Sequence, residues 1–319
     1  MNQSKTIPID KFVEKALYNK KFGYYSTKNP FGKFGDFITS PGISFLFSEM
    51  IGIWIISFWE NLNKPKKFNI IELGPGNGEM CKTLIKTFKK FPKFYKSVNI
   101  FLYEKSSFLI NKQKINIKNS RIKWIKNFDK IKEGPVIFFG NEFFDAIPIK
   151  QFIKKKKSYL EKYFSINNKN KIIKLYKKAK NKDITQLKKY KSIKNLKFIE
   201  FPKKGLKVID KIVNKVSELK GGLLLVDYGY LISNNKSTLQ SVFKHKKNNL
   251  LENLGKADIT SLVNFELLKE HLIKKKLKVK NIVSQKFFLE NMGIINRADN
   301  LSKKMSFREQ TNLYLRLKR

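Results

Sequence analysis

The sequence predicts an α/β protein built on a doubly wound parallel sheet. Short apolar runs alternate with helix-like segments along most of the chain, the pattern of β-α-β units. Several of those runs end in a carboxylate or carboxamide: Glu72, Glu104, Asn141-Glu142 and Asp227. Ligands in such sheets bind beyond the carboxyl ends of the strands. Between the first of these runs and its helix lies Glu72-Leu73-Gly74-Pro75-Gly76-Asn77-Gly78-Glu79, in which three glycines alternate.

Taken in order, Asp10 to Tyr18 carries Phe12, Val13, Ala16 and Leu17 at helical spacing. A glycine- and aromatic-rich loop is expected from Phe22 to Pro41. Loops of that length in a compact domain are usually functional. Ile43 to Trp59 reads as a buried helix, and Phe68 to Leu73 as the first core strand. After the glycine turn, Met80 to Phe88 is expected as helix, Val98 to Glu104 as a second strand, Arg121 to Trp124 as a third and Pro135 to Asn141 as a fourth. Tyr159 to Ile166 and Lys171 to Tyr176 flank Asn167-Asn168-Lys169-Asn170, a hairpin pattern. A helix near Leu206 to Leu219 follows, and Gly222 to Asp227 resumes the parallel pattern as a fifth strand. The expected organisation is therefore N-terminal helices and a lid loop over 1–65, a core from 66–150 and 220–319, and an α+β insertion over 151–219.

Composition narrows the function classes. No apolar run among the 319 residues approaches the roughly 18–20 needed to cross a bilayer. The single cysteine, Cys81, rules out an intramolecular disulfide and a cysteine-based zinc site, and no metal is expected. It reads as a small packed residue on its helix. The opening segment lacks the marks of a secretory signal or an amphipathic presequence. The net charge of +43 invites a nucleic-acid reading. Yet the arginines are only Arg121, Arg297, Arg308, Arg316 and Arg319, and arginine is the side chain suited to bidentate phosphate and base contacts. The lysine excess accompanies Asn, Ile, Phe and Tyr, all encoded by A/T-rich codons, and needs no polyanionic partner.

The glycine turn departs from two phosphate-binding patterns. The dinucleotide fingerprint needs glycine where this chain has Glu79, and the Walker lysine is missing. Strand, Glu-x-Gly-x-Gly-x-Gly, helix instead resembles motif I of class I S-adenosylmethionine-dependent methyltransferases. Glycine allows a tight turn and close backbone approach to a ligand. Glu104, ending the next strand, is placed to accept both ribose hydroxyls of a nucleoside, and Glu72 to orient the loop or hold the cationic methionine end. Asn141-Glu142-Phe143-Phe144-Asp145-Ala146-Ile147-Pro148 crowds two carboxylates and a carboxamide at a strand end. Such a group could grip a guanidinium through charge-assisted hydrogen bonds, orient its nitrogen and take its proton.

Further segments complete the pattern: Phe22-Gly23-Tyr24-Tyr25, Gly35-Asp36-Phe37-Ile38-Thr39-Ser40-Pro41, Asp227-Tyr228-Gly229-Tyr230, Thr238-Leu239-Gln240 with His245, and Ala257-Asp258-Ile259-Thr260. With Glu72 to Gly78 and Asn141 to Pro148, and in this order, they closely resemble the MidA/NDUFAF7 family, methyltransferase-like assembly factors of respiratory complex I. The resemblance implies a class I methyltransferase fold and symmetric dimethylation of an arginine on a 49-kDa-type complex I subunit. It implies that Glu72, Gly74, Gly76, Gly78 and Glu104 bind S-adenosyl-L-methionine and that Asp36, Thr39 and Ser40 form a lid. Asn141, Glu142 and Asp145 would face the arginine, with Asp227, His245 and Asp258 lining the same cleft. The chain has Gly42 where the family usually has an acid, and it stops at Leu317-Lys318-Arg319 without the family's usual final segment. The expected compartment is bacterial cytoplasm, or mitochondrial matrix in a eukaryote. Two other readings stay open: a catalytically silent assembly chaperone, and an RNA methyltransferase. The latter is weakened because the run after the fourth strand lacks an Asn-Pro-Pro-Tyr-type pattern.

Overall fold

The structure is a computed structural model, described here for residues 6–27, 45–156, 158–167 and 171–317. It divides into two compact units. One comprises residues 29–141, 215–226 and 281–319; the other comprises 1–28, 142–214 and 227–280.

The first unit is built on a five-stranded sheet in the order Gly221–Val226, Val136–Asn141, Phe68–Leu73, Val98–Tyr103, Ile122–Ile125. Every pairing is parallel. Phe68–Leu73 is buried at all its positions, as expected of a central parallel strand covered on both faces. The register aligns Glu72 with Leu102 on one side and Phe139 on the other, and Val226 with Asn141. The strand ends that sequence marks as sites therefore lie at one edge of one sheet.

Helix Phe45–Asn61 packs against helix Glu79–Lys89, and both belong to a core that includes Ile51, Ile55, Trp59, Leu84, Phe88 and Phe94. Burying a large apolar side chain stabilises by about 1.5–3 kcal/mol, so this cluster anchors the helices on the sheet. Cys81 is buried in it. C-terminal helices Gln285–Asn291, Ile294–Ser302 and Phe307–Leu317 supply Leu289, Ile294, Ala298 and Leu313 to the same core.

The second unit is antiparallel. Its larger sheet runs Ile7–Pro8, Ser158–Ile166, Lys150–Lys155, Phe198–Phe201, with Ile172–Lys178 also pairing with Ser158–Ile166. The expected hairpin is present, closed by the Asn167 N–H donating to the Lys171 carbonyl at 3.0 Å. Under this sheet Lys150 pairs with Glu161 and lies 3.5 Å from Asp183, whose other oxygen is paired with Lys203. Buried charges persist only when paired in this way. A smaller sheet joins Lys246–Asn248, Gln240–Phe243 and Asp258–Thr260, and Gly229–Tyr230 runs parallel to Val263–Asn264.

The two units divide the chain at other positions than the expected organisation does. Residues 227–280 group with 142–214 because they form antiparallel hairpins and short ribbons of their own, whereas 281–319 group with the parallel sheet. Within the expected loop from Phe22, Tyr24–Thr27 forms a short helix. The rest of that loop, with Asp36, Thr39, Ser40 and Gly42, lies outside the described residues. No described helix is long and apolar enough to cross a membrane.

Candidate active site

In the parallel-sheet unit the chain leaves Leu73 into a turn where Gly74, Gly76 and Gly78 have φ of 65°, 54° and 86°. All three values are in the left-handed region, which explains the alternation of glycines. The Gly74 N–H donates to the Tyr103 carbonyl at 3.0 Å and the Gly78 N–H to the Pro75 carbonyl at 2.8 Å, fixing the turn at the strand ends. A Cβ on Gly78 would lie 2.8 Å from Ile117 Cδ1, so the loop is packed closely against helix Ser107–Ile117.

Glu72 is 4% exposed, and its Oε2 is buried without a hydrogen-bond partner among the described residues. Burial pushes its carboxyl up to about 8. That oxygen has unused hydrogen-bonding capacity inside the unit. Glu104 is also buried, which raises its carboxyl. Its Oε1 accepts the Lys105 and Ser106 N–H groups at 2.7 and 2.8 Å, while Oε2 faces Gln113 Nε2 at 3.5 Å. One orphaned carboxylate oxygen, a glycine turn closed to side chains and a second strand-end acid fit a ligand with a cationic end and a hydroxylated sugar.

The other unit gathers acids. Asp227 immediately follows strand Gly221–Val226, and Glu142 immediately follows strand Val136–Asn141 with a φ of 51°. Asp227 Oδ2 accepts the N–H groups of Phe144 and Asp145 at 2.8 and 3.3 Å, and Oδ1 accepts the Tyr228 N–H at 2.9 Å. Those bonds hold the turn from Glu142 to Asp145 against Asp227. Burial raises Asp227 to about 7 despite these donors, with Glu142 adding to the rise. Asp145 is raised well above the carboxylate range, first by burial and then by Asp227, Asp258 and Glu142. Its Oδ1 is buried with no hydrogen-bond partner among the described residues.

Asp258 stands on the facing ribbon. Its Oδ1 accepts the Tyr25 hydroxyl at 3.0 Å and the Ile259 N–H at 2.9 Å, and the Ser261 N–H donates to the Asp145 carbonyl at 2.9 Å. Burial and then Asp258 push the Tyr25 phenol well up. Four segments far apart in sequence, around Tyr25, Asp145, Asp227 and Asp258, thus converge on one acidic pocket. Like charges gathered in this way raise one another's carboxyls.

His245 does not share that burial. With Lys244 it occupies the two positive-φ positions, at 49° and 62°, of the turn between Gln240–Phe243 and Lys246–Asn248, and its side chain is exposed. A two-residue hairpin turn thus presents it on the surface of its unit. The buried histidine is His271, between the Tyr190 hydroxyl at 2.8 Å and Asp210 at 3.1 Å. Asn141 closes its strand and is half-buried.

Sequence reading missed two organising side chains. Gln113, 0% exposed, bonds the Gly76 carbonyl at 2.8 Å. Glu200 accepts Thr238 Oγ1 at 2.6 Å, and Thr238 Oγ1 in turn accepts the Leu262 N–H at 3.0 Å, which ties the Thr238 segment to the Asp258 ribbon. Neither carries a local sequence signal, since both act through residues distant in the chain.

The family profile described as "Putative S-adenosyl-L-methionine-dependent methyltransferase" matches residues 50–283. The chain belongs to this family, the MidA/NDUFAF7 methyltransferases. Its cofactor is S-adenosyl-L-methionine. Among MidA/NDUFAF7 relatives, the mitochondrial protein arginine methyltransferase NDUFAF7 homolog of Caenorhabditis elegans is 30% identical over 95% of this chain and 77% of its own length. The Xenopus tropicalis protein arginine methyltransferase NDUFAF7 is 28% identical over 94% and 75%, and the Homo sapiens one 25% over 90% and 70%. Among solved structures, a Burkholderia thailandensis protein bound to S-adenosyl-homocysteine superposes with a TM-score of 0.80 at 18% identity, covering 98% of this chain and 83% of that one. That likeness supports the class I methyltransferase fold.

Proposed function

We propose that this methyltransferase modifies arginine in a protein, and that its substrate is a 49-kDa-type subunit of respiratory complex I during assembly. The observation that carries the arginine assignment is the acidic pocket of Glu142, Asp145, Asp227 and Asp258, with a buried Asp145 oxygen that has no hydrogen-bond partner among the described residues. A guanidinium brings a positive charge and several fixed donors, which complements such a pocket. The names of the relatives support the same assignment.

On this reading Glu72, Gly74, Gly76, Gly78 and Glu104 hold the cofactor, with Asp36, Thr39 and Ser40 as lid residues. Bound S-adenosyl-L-methionine supplies an electrophilic methyl group. Glu142 and Asp145 orient the guanidinium, with Asn141 aligning the nitrogen. Asp145 would take up the proton that this nitrogen loses as the carbon–nitrogen bond forms and the methyl's carbon–sulfur bond breaks, leaving neutral S-adenosylhomocysteine. Asp227 holds the turn that presents them. The protein contributes positioning and charge complementarity, and no covalent enzyme intermediate is required.

The test is incubation with methyl-labelled S-adenosylmethionine and a purified 49-kDa-type subunit, followed by acid hydrolysis and amino-acid analysis. Label in symmetric dimethylarginine supports the proposal. Cofactor binding without label transfer to arginine would replace it with the silent chaperone.

A further inference from the structure

Gln113 sits on helix Ser107–Ile117, fully buried, between the two halves of the candidate cofactor site. Its Oε1 accepts the Trp124 indole N–H at 2.9 Å. Indole nitrogen is a donor only, so this contact fixes which end of the Gln113 amide is oxygen. Nε2 is then turned toward the Gly76 carbonyl at 2.8 Å and Glu104 Oε2 at 3.5 Å. One amide therefore touches the glycine turn and the strand-end acid together. The helix adds two further contacts on the same face: Asn116 Nδ2 donates to the Asn77 carbonyl at 2.9 Å, and Ile117 fills the space beside Gly78.

The accounting at Glu104 shows what this contact decides. Oε1 is occupied by two backbone N–H groups, whereas among the described residues Oε2 receives only the Gln113 amide at 3.5 Å. Oε2 is the oxygen left with capacity for hydroxyl donors; the two N–H bonds to Oε1 anchor the carboxylate, and the Gln113 amide borders Oε2. We infer that Gln113 is a positioning residue: oriented by Trp124, it braces the Gly76 carbonyl of the glycine turn and borders Glu104 Oε2, and so keeps that oxygen available for the ribose hydroxyls of the cofactor. The inference rests on the cofactor reading of Glu104 and assigns that acid a partner. Gln113 touches neither the methyl donor nor the arginine.

A coupling experiment separates positioning from simple structural support. Calorimetric affinities for S-adenosylhomocysteine and its 2′-deoxyribose analogue are measured in wild type, Glu104→Gln, Gln113→Met and Trp124→Phe, each checked for folding by circular dichroism. Trp124→Phe keeps an aromatic ring and removes the donor, at the cost of some packing volume, so it serves where Gln113→Met fails to fold. Wild type is expected to lose on the order of 10–100-fold in affinity when the hydroxyl is absent, the worth of a hydrogen bond to a charged group. In Gln113→Met and Trp124→Phe that penalty is expected to shrink to about threefold or less, while affinity for S-adenosylhomocysteine itself falls. An equal loss for both ligands, with the hydroxyl penalty intact, would overturn the positioning role. If wild type shows no hydroxyl penalty and Glu104→Gln binds normally, the Glu104 reading itself fails, and with it this inference.

Discussion

The Asp227 carboxylate accepts the Asp145 backbone N–H at 3.3 Å, binding together two acids that are 82 residues apart in the chain. Each follows a different parallel strand, and Asp227 is among the charges that, after burial, raise the Asp145 carboxyl. A pocket organised in this way is prepared for a cation at the cost of holding protons without one.

A pH dependence follows from that arrangement. Asp227 is raised to about 7 and Asp145 lies well above its ordinary value, so the free pocket is partly protonated at neutrality. The deprotonated form binds guanidinium, so kcat/KM is expected to rise from pH 6 to 8 and to level above the highest of the coupled values. A profile that is flat or falling over that range would count against these acids as the arginine site.

Glu72 gives a stability prediction of opposite character. Its folded value of about 8 exceeds that of an exposed glutamate, so the folded state binds more protons than the unfolded one between roughly pH 4.3 and 8. Stability from this group is present at low pH and is lost as pH rises, at about 1.4 kcal/mol per unit within the window. Glu72→Gln is expected to be more stable than wild type at pH 8 in urea denaturation and to bind S-adenosylmethionine more weakly. An unchanged urea midpoint at pH 8 would indicate that the carboxyl is not isolated.

The glycine turn is tested by Gly76→Val. At a φ of 54° a β-branched residue is strained, and its side chain would occupy the turn. Binding of S-adenosylmethionine should be undetectable by calorimetry in protein that keeps its circular dichroism spectrum. Retained affinity would move the cofactor elsewhere.

The two histidines separate cleanly. His245→Ala removes an exposed turn residue and should leave methyl transfer and stability close to wild type, within about 0.5 kcal/mol. His271→Ala strips partners from the Tyr190 hydroxyl and Asp210 and should cost about 1–3 kcal/mol in urea denaturation. Activity lost in the first variant with its fold intact would restore His245 to the site.

Much of the parallel sheet was legible because its information is local. Phe68–Leu73 and Val98–Tyr103 are largely apolar runs each followed by a helix, and three left-handed glycines mark the turn. Phe68–Leu73 falls where the run predicts it. The acids at strand ends were visible for the same reason. The second unit was harder to read: its ribbons are short, and its order comes from long-range contacts such as Tyr25 with Asp258 and Glu200 with Thr238. A lone glutamine such as Gln113 looks like any helix residue until Trp124 and Gly76 are brought to it. That His245 sits in a hairpin turn was likewise not legible, because Lys244-His245 lacks the Asn-Gly type of turn signal.

The most direct test of the central claim is to measure S-adenosylhomocysteine affinity and arginine methylation side by side in wild type and Asp145→Asn, using a 49-kDa-type complex I subunit and mass spectrometry of the product. Cofactor affinity is expected to be unchanged in the variant and methyl transfer reduced by at least roughly 100-fold, the scale set by losing a positioned proton acceptor. Undiminished arginine methylation in the variant, or methyl transfer to a residue other than arginine in wild type, would contradict it.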